Sequence, residues 1–590
     1  MSDVITALKR ARRAGNVSEM ALHFAGLLDR LDPKAHPSVV LAGALASERA
    51  LSGDVCVDLA SVAGGPAFEG EDDGALAGPE LEPWRQALRD GALVSDGDRT
   101  RPLVLTDDGH LYLYRYHELE RRLADLITRR AGHISDTVDQ SQLNDALDAL
   151  FSDDPGSADQ RAAAAQAVDQ QLLVISGGPG TGKTATVVRI LALVHRLALA
   201  RPERILLCAP TGKAAARLRE VLAGAADMLP EDLQRVPQAT TVHRLLGSRP
   251  GQRLRYDATR PLPCDLLILD EASMVDLSLM TSLFDAVPDD ARLILLGDRN
   301  QLSSVEAGAV LGDICCAADH GALPHCLVTL KHNWRFPTES ALGALASAVK
   351  DAQVAQTTTL LENPDHAALQ LIAVSDTAGL DTLLMERVTP MFAELQRMVL
   401  DGADTETLFA KRDEMMVLCA HRRGPRGVSD INGRIQSSLR GSARASSDGQ
   451  ILPGMPLMVM RNDPVLGLYN GDVGIVVPDR ETPGRLQAVF QDTQGEIRAI
   501  SLGRLPEHAP AFAFTVHKAQ GSQAPAITLI LPENVSPILS RELVYTGVTR
   551  AEQSLEIWGS REVLAAAMAR SARRPTGLAD RLQRSMALCP

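Results

Sequence analysis

The feature that most constrains this chain is a glycine-rich run that joins an apolar segment to a helical-looking one. The run is Gly177-Gly178-Pro179-Gly180-Thr181-Gly182-Lys183-Thr184, and the apolar segment Leu172 to Ile175 precedes it. A loop between a strand and a helix can close backbone N–H groups around phosphates, and the helix N-terminus adds positive potential. We expect Lys183 to contact the β and γ phosphates and Thr184 to ligate Mg²⁺. The run therefore predicts a nucleoside triphosphate site, the alternative being a chance match on a surface loop.

Composition limits the remaining possibilities. A chain of 590 residues predicts about three to four domains. Apolar runs are too short to span a membrane and the N-terminus lacks a signal-peptide core, so we expect a cytoplasmic protein with no membrane partner. Eight cysteines contain no C-x-x-C pair, which disfavours zinc and iron–sulfur sites. A net charge of -14 argues against a broad basic surface but leaves room for a basic groove.

The pattern along the chain predicts an α/β protein with two parallel sheets. Short apolar strands alternate with helical patterns within residues 160–338 and again within 339–450 and 511–590, as in parallel α/β folds. Between these two parts, residues 451–510 show short alternating strands and turn residues, which predict a small β-barrel inserted in the second lobe. Residues 1–115 are expected to form a helix-rich N-terminal domain, and residues 116–159 a helical linker.

Polar residues follow predicted strands of the first lobe. Asp270 and Glu271 come directly after the apolar run Leu266 to Leu269, where an acid faces the ligand crevice, so Asp270 can hold Mg²⁺ and Glu271 can polarise the attacking water. Gln301 follows the next strand and could sense the γ-phosphate. Taken alone, the two acids would be a solvated helix cap, and the phosphate loop favours the catalytic interpretation. Gln160, before the loop, could read adenine through its amide, although a lone glutamine is weak support.

Two arginines lie far from the loop in sequence, Arg335 and Arg550. Closure of two lobes could bring them to the nucleotide, where guanidinium groups stabilise charge on the transferred phosphoryl group. For either arginine alone, a surface ion pair is the alternative.

Together these segments resemble, in order, the motor motifs of superfamily 1 helicases. Further matches are Pro210 to Ala215, Thr241 to Gly247 and Phe514 to Gln523. The resemblance implies two RecA-like lobes that bind ATP and Mg²⁺, and an SH3-like identity for the barrel insert. It also implies that loop residues along one groove contact DNA, namely Thr211, Lys213, His243, Thr515, His517 and Lys518. Without the resemblance, both of these lysines would be taken as ordinary surface residues.

Finer details resemble the RecD-like branch, which moves 5′ to 3′ on single-stranded DNA. They are the run Thr241 to Gly247, the run Gly297 to Gly312 and the barrel insert. The segments His36 to Leu45 and Gly53 to Leu59 are similar to the alpha-subunit family of exodeoxyribonuclease V. That likeness implies RecB-like and RecC-like partner subunits, action at duplex DNA ends, and a role in recombinational repair. Asn300 departs from the aspartate expected in some relatives, at a position peripheral to the chemistry.

Two rival functions remain open. A stand-alone RecD-like helicase tends to carry extra N-terminal helix-hairpin-helix modules, and the short N-terminus here shows no such pattern. A DNA-end-binding regulatory ATPase without unwinding would not need the intact set of Lys183, Asp270, Glu271, Arg335 and Arg550. Nuclease activity is expected in a partner subunit, because phosphodiester cleavage usually needs clustered carboxylates and Asp270 and Glu271 are committed to ATP. The acid-rich stretch Glu69 to Asp73 is interpreted as a solvated loop.

Overall fold

The structure is a computed structural model, which describes residues 3–68, 76–131, 138–151, 154–230, 233, 238–249, 251–335, 340–441, 451–463, 465–491, 495–572 and 574–587. The acid-rich stretch Glu69 to Asp73 and the predicted domain boundary at residue 450 lie outside these residues. Within these ranges, the helices are too short or too polar to cross a membrane.

The N-terminal part combines four helices with a small sheet. The helices are α1 (Asp3–Ala14), α2 (Glu19–Leu31), α3 (Pro37–Leu51) and α4 (Leu81–Arg89). The strands are β1 (Cys56–Asp58), β2 (Val94–Ser95), β3 (Leu103–Leu105) and β4 (His110–Leu113), in the order β1-β4-β3-β2. Helix α3 is buried along most of its length, and Trp84 donates from Nε1 to the carbonyl of Ser38 at 3.1 Å. The prediction of a helix-rich unit did not include this sheet, because strands of two to four residues show almost no alternation.

Three helices lead to the first parallel sheet: α5 (Tyr114–Ala131), α6 (Gln140–Leu150) and α7 (Ala158–Asp169). The strands are β5 (Leu172–Gly177), β6 (Ile205–Ala209), β7 (Thr240–Thr241), β8 (Leu266–Leu269), β9 (Arg292–Gly297) and β10 (Leu327–Leu330). The intervening helices are α8 (Lys183–Arg196), α9 (Gly212–Gly224), α10 (Val242–Leu245), α11 (Leu277–Ala286) and α12 (Val310–Asp319). All pairs are parallel, in the order β10-β5-β9-β8-β6-β7. Apolar side chains fill both faces, which confirms the predicted parallel α/β sheet.

The chain continues into the first half of a second α/β unit. Its helices are α13 (Ala341–Lys350), α14 (Val354–Glu362), α15 (Thr377–Leu383), α16 (Thr389–Leu400), α17 (Thr405–Asp413) and α18 (Val428–Gly441). A π-helical segment, Leu384–Val388, joins α15 to α16. The strands of this half are β11 (Leu369–Ile372) and β12 (Met415–Cys419).

An antiparallel sheet is inserted next. Its strands are β13 (Pro456–Val459), β14 (Val473–Pro478), β15 (Leu486–Gln491), β16 (Ile497–Ser501) and β17 (His508–Pro510), in the order β16-β15-β14-β13-β17. The strand order has two ends, β16 and β17, so closure into an SH3-like barrel stays a prediction.

The last strands complete a second parallel sheet. They are β18 (Ala513–Thr515), β19 (Ala524–Ile530) and β20 (Ala551–Trp558), with helices α19 (Arg541–Val548), α20 (Arg561–Ala569) and α21 (Leu578–Ala587). The sheet order is β11-β20-β19-β12-β18, again parallel throughout.

Helix α21 leaves this second sheet and packs against α5 and α12. The buried carboxylate of Glu120 on α5 accepts two hydrogen bonds from this part of the chain. One comes from the amide of Gly577, just before α21, at 3.1 Å, and the other from Nε of Arg581, within α21, at 2.9 Å. The C-terminal segment therefore ties the second α/β unit to the first.

Candidate active site

The glycine-rich loop joins β5 to α8 in a tight turn. Gly180 and Gly182 have φ values of +82° and +81°, a conformation that glycine adopts without strain. A Cβ on Gly177 would lie 2.5 Å from Thr181 Oγ1, and that hydroxyl donates to the Gly178 carbonyl at 2.8 Å. Side chains at these positions would fill the cradle, so the residues present fit a bound phosphate chain.

Lys183 begins helix α8 directly after the turn. Its ammonium donates to the carbonyls of Gly177 at 2.6 Å and Gly178 at 3.0 Å, so the charge lies over the mouth of the loop. Pro179, Thr184 and Lys183 line the same cleft. The helix start and the ammonium thus combine two sources of positive potential.

Gln160 lies on α7 behind the loop rather than in the cleft. Its side chain is buried; Nε2 donates to the Thr181 carbonyl at 3.2 Å, and Oε1 accepts from the Arg189 guanidinium. Both ends of the amide are therefore bonded to protein, and in this arrangement it braces the phosphate loop. The adenine-reading role stays a prediction.

The two acids follow β8 at the carboxyl edge of the sheet. Asp270 is buried, and its Oδ1 accepts from the Glu271 amide at 2.8 Å. Burial, together with the Glu271 carboxylate, raises the pKa of Asp270 to about 6, and the Lys183 ammonium opposes both effects. Glu271 has φ +52°, which is uncommon for a residue other than glycine and concentrates at functional sites.

Gln301 lies beyond the end of the adjacent strand β9, as the sequence predicted. Its side chain is buried, and Nε2 donates to Asp298 Oδ2 at 3.1 Å. Arg335 approaches the phosphate loop from the segment after β10, since a Cβ on Gly180 would lie 2.6 Å from the Arg335 Cβ. The neighbouring Trp334 amide donates to the Gly180 carbonyl at 2.8 Å.

Arg550 follows α19 in the second unit and is almost fully buried. Nε donates to the Thr546 carbonyl at 3.1 Å and Nη1 to the Ser522 carbonyl at 3.3 Å. Burial lowers the pKa of Arg550, while Glu271 and Asp298 raise it. The guanidinium is held in place by backbone oxygens and faces the acids of the first sheet.

These side chains converge on one cleft of about 390 Å³ between the two parallel sheets. The predicted residues that line it are Pro179, Gly180, Gly182, Lys183, Thr184, Asp270, Glu271, Gln301, Arg335 and Arg550. The first sheet and its loops contribute most of them, and the second unit contributes Arg550. An arrangement of this kind can bind a polyphosphate, hold a divalent cation and stabilise developing charge on a phosphoryl group.

Three polar or aromatic residues that line the cleft were not predicted as site residues: Arg217, Trp334 and Gln523. Arg217 Nη2 on α9 donates to Gln523 Oε1 at 2.8 Å, which joins the two α/β units across the cleft. Trp334 is 45% exposed and packs edge-on against His332. Trp334 could have been identified because it directly precedes Arg335. For Arg217 the sequence offers only its position one helical turn after Lys213.

The predicted DNA-contacting residues occupy several loops. Thr211 caps α9, Lys213 lies exposed in its first turn, and His243 is exposed on α10. In the second unit, Thr515 Oγ1 accepts from the Lys518 amide at 3.2 Å. Lys518 is exposed and its ammonium lies 3.2 Å from the Met458 sulfur on β13. The Lys518 ammonium therefore lies beside the inserted sheet. Lys213 lies near the same sheet, because its charge lowers the pKa of Asp472, whereas burial raises the pKa of that carboxyl.

His517 is directed elsewhere. It lines a separate cavity of about 730 Å³, together with Arg49 of the N-terminal part, Ser303 and Arg574. Burial and the Arg574 charge lower the pKa of His517. The structure therefore does not bring His517 together with Lys213 and His243.

Three family models match the chain. One describes an AAA domain over residues 160–307, one the N-terminal domain of the RecBCD enzyme subunit RecD over residues 13–112, and one a UvrD-like helicase C-terminal domain over residues 510–557. The first covers the phosphate loop and both acids, and the third covers Arg550.

Curated relatives align along most of the chain. The RecBCD enzyme subunit RecD of Mycolicibacterium smegmatis is 40% identical, covering 95% of this chain and 97% of the relative. The subunit of the same name from Mycobacterium tuberculosis is 39% identical, covering 97% and 96%. The ATP-dependent RecD2 DNA helicase of Deinococcus radiodurans is 32% identical over 81% of this chain and 59% of that protein. Among solved structures, Bacteroides Pif1 bound to single-stranded DNA matches with 16% identity and a TM-score of 0.39, covering 66% of this chain and 90% of that chain.

Two parallel sheets that share one cleft, together with the family models and the curated relatives, define an ATP-dependent DNA helicase. Within that class the chain belongs to the RecD family.

Proposed function

We propose that this chain is a 5′ to 3′ single-stranded DNA translocase and the motor subunit of a RecBCD-type helicase/nuclease. The observation that carries the proposal is the convergence of Lys183, Asp270, Glu271, Arg335 and Arg550 on one cleft between two parallel sheets. Cycles of ATP binding and hydrolysis then close and open the cleft and shift the grip on the strand. The 5′ to 3′ direction follows from the likeness to the RecD-like branch.

The proposed domains follow from the sheets. Residues 160–338 and residues 339–450 with 511–590 form two RecA-like lobes, and 451–510 form an SH3-like insert. Residues 1–115 form a partner-binding domain and 116–159 a helical linker. Exposed apolar side chains at Met20, Leu27 and Leu31 support the partner-binding role, because their spacing places them on one face of α2. The partners are RecB-like and RecC-like subunits, and the complex is cytoplasmic.

Different residues of the cleft bind different parts of the nucleotide. The loop residues 177–184 hold the phosphates of ATP, and Trp334 offers an exposed ring for the adenine. Mg²⁺, which prefers hard oxygen ligands, is held by the Thr184 hydroxyl and the Asp270 carboxylate. When bound, the ion neutralises charge on the β and γ phosphates. Gln160 braces the loop from behind.

The same cleft provides the groups needed for hydrolysis. Glu271 polarises the attacking water and Gln301 senses the γ-phosphate. Arg335 and Arg550 stabilise charge that develops on the transferred phosphoryl group. Since Arg550 comes from the second lobe, hydrolysis depends on lobe closure.

DNA runs along the loops of both lobes. Phosphate oxygens are contacted by residues able to donate hydrogen bonds, namely Thr211, Lys213, His243, Thr515 and Lys518. The predicted contact of His517 requires DNA to reach the separate cavity that this residue lines. Exposure of Lys213, His243 and Lys518 supports this assignment. We propose that nuclease activity resides in a partner subunit, and we expect highly purified chain incubated with linear DNA, Mg²⁺ and ATP to leave that DNA undegraded. Degradation that co-purifies with the chain and persists in Lys183→Ala would contradict that statement.

A strand-displacement assay tests the motor function. Duplexes with a 5′ single-stranded tail, a 3′ tail or blunt ends are mixed with the full chain and ATP, beside Lys183→Ala. We expect ATP-dependent unwinding of the 5′-tailed duplex and none by the variant. DNA binding without unwinding would favour an end-binding regulatory ATPase, and preference for the 3′ tail would overturn the direction while leaving the motor intact.

A further inference from the structure

One buried carboxylate joins the two parallel sheets beside the nucleotide cleft. Asp298 follows β9 of the first sheet and is 1% exposed. Its Oδ2 accepts a hydrogen bond from Gln301 Nε2 at 3.1 Å and another from the Tyr545 hydroxyl at 3.1 Å. Gln301 belongs to the same loop as Asp298, whereas Tyr545 lies on α19 of the second unit.

The neighbouring residues extend this connection. The Leu302 amide donates to Thr546 Oγ1 at 2.9 Å, and the Leu302 carbonyl accepts from Gln520 Nε2 at 2.8 Å. The carbonyl of Thr546 in turn accepts from Arg550 Nε. The loop that carries Gln301 is therefore bonded to the helix that leads to Arg550.

The Tyr545 hydroxyl lies close to the phosphate loop. A Cβ on Gly178 of the phosphate loop would lie 3.0 Å from it. Burial and the Asp298 charge raise the pKa of Tyr545 well above its ordinary value, so the phenol stays protonated and donates. A donor to a buried carboxylate makes a strong, charge-assisted bond.

We propose that Tyr545 is a positioning residue that keeps the Asp298 carboxylate satisfied while Gln301 turns to the γ-phosphate. The inference rests on the proposed function of Gln301. When the Gln301 amide leaves Asp298, the carboxylate keeps the Asn300 amide on Oδ1 at 3.0 Å but loses one of the two donors on Oδ2, and a buried acceptor without a donor is costly. The Tyr545 hydroxyl removes that cost, and because it comes from α19, it does so only when the second unit is in place.

The experiment compares Tyr545→Phe, Asp298→Asn and the double variant in the full chain, with ATP hydrolysis measured at saturating single-stranded DNA. We expect Tyr545→Phe to lower kcat about tenfold, the scale of one hydrogen bond to a charged group, with KM for ATP unchanged within about twofold. The double variant should be no slower than the slower of the two single variants, because both changes alter the same Tyr545–Asp298 bond and their effects are not additive.

Tyr112→Phe is the matched control, since Tyr112 is also buried and donates to a buried carboxylate, Glu120, at 3.1 Å away from the cleft. It should leave kcat unchanged. Nucleotide binding is followed separately with a non-hydrolysable ATP analogue and tryptophan fluorescence. Of the three tryptophans, Trp84 and Trp558 are fully buried and Trp334 lines the cleft. Tyr545→Phe should bind the analogue with wild-type affinity.

Wild-type kcat in Tyr545→Phe, additive losses in the double variant, or a weakened analogue affinity with unchanged kcat would each overturn the positioning role. Failure of the proposed function has a different signature. In that case the wild-type chain itself binds the analogue but shows no DNA-stimulated hydrolysis.

Discussion

The nucleotide cleft and the predicted DNA-contacting loops differ in how closely their residues are assembled. Ten predicted residues line a single cleft of about 390 Å³. The DNA candidates instead divide, with Lys213 and Lys518 facing the inserted sheet and His517 lining a separate cavity of about 730 Å³. A phosphate site is built from strand ends that the sheet itself aligns, whereas a strand of DNA is contacted by individual loops whose side-chain directions the sheet does not determine.

The largest effect is expected from Lys183→Ala, which should abolish ATP hydrolysis and unwinding with the fold intact, because the ammonium lies over the phosphate loop. Hydrolysis stimulated by single-stranded DNA is the measurement. Lys350→Ala, on the exposed end of α13, is the matched control and should behave as wild type. Near wild-type hydrolysis by Lys183→Ala would show that this loop does not bind the phosphates of the hydrolysed ATP, and the contrast between the cleft and the DNA loops would no longer hold.

Arg550→Ala should retain nucleotide binding but lose about 10³-fold in hydrolysis rate, as expected for an arginine that acts on transition-state charge. Analogue binding and turnover are measured on the same preparation. Because Arg550 is buried, Arg550→Lys serves as a second variant that keeps the charge and should also hydrolyse slowly. Parallel losses of affinity and rate would instead make Arg550 a ground-state binding residue.

Trp334→Ala should raise KM for ATP about tenfold with a smaller change in kcat, because stacking of a base on an aromatic ring contributes about 1–3 kcal/mol. The exposed ring lines the cleft. Trp334→Phe keeps an aromatic face and should recover most of the affinity. If the alanine variant has wild-type KM, the adenine lies elsewhere.

The smallest effects concern DNA. Lys213→Ala should weaken binding of single-stranded DNA a few-fold and reduce the salt dependence by about one counterion. His517→Ala should change DNA affinity less, because His517 lines the other cavity. Fluorescence anisotropy across a salt series measures both, with exposed Lys34→Ala as control. Equal losses in the two variants would mean that one DNA path reaches both loops.

How much of the fold and of the candidate site could be predicted depends on whether the informative residues lie close together in the sequence. The phosphate loop and the acids at 270 and 271 lie at the ends of apolar strands, so the apolar pattern alone predicted their positions. Gln301 was predicted in the same way, because it also follows an apolar strand. Arg335 and Arg550 could be proposed only from the surrounding motif pattern, because their approach to the loop depends on how two units pack. Trp334 lacked a signal beyond its neighbour.

Other features could not be predicted from the sequence, for physical reasons. The N-terminal sheet and β7 consist of strands too short to show alternation. His517 and Lys518 are adjacent on one helical turn, His517–Ala519, and neighbouring side chains on a turn point in different directions. The adenine-reading role of Gln160 stays a prediction. Nothing in the sequence indicated that both ends of its amide bond to protein, because that depends on the position of Arg189 one helix later.

The most direct test of the central claim is ATP-driven displacement of streptavidin from biotinylated single-stranded oligonucleotides by the full chain. Motion from 5′ to 3′ predicts rapid displacement from a biotin at the 3′ end, little from a biotin at the 5′ end, and none with Lys183→Ala. Faster displacement from the 5′ end, or displacement that proceeds equally without ATP, would contradict the account.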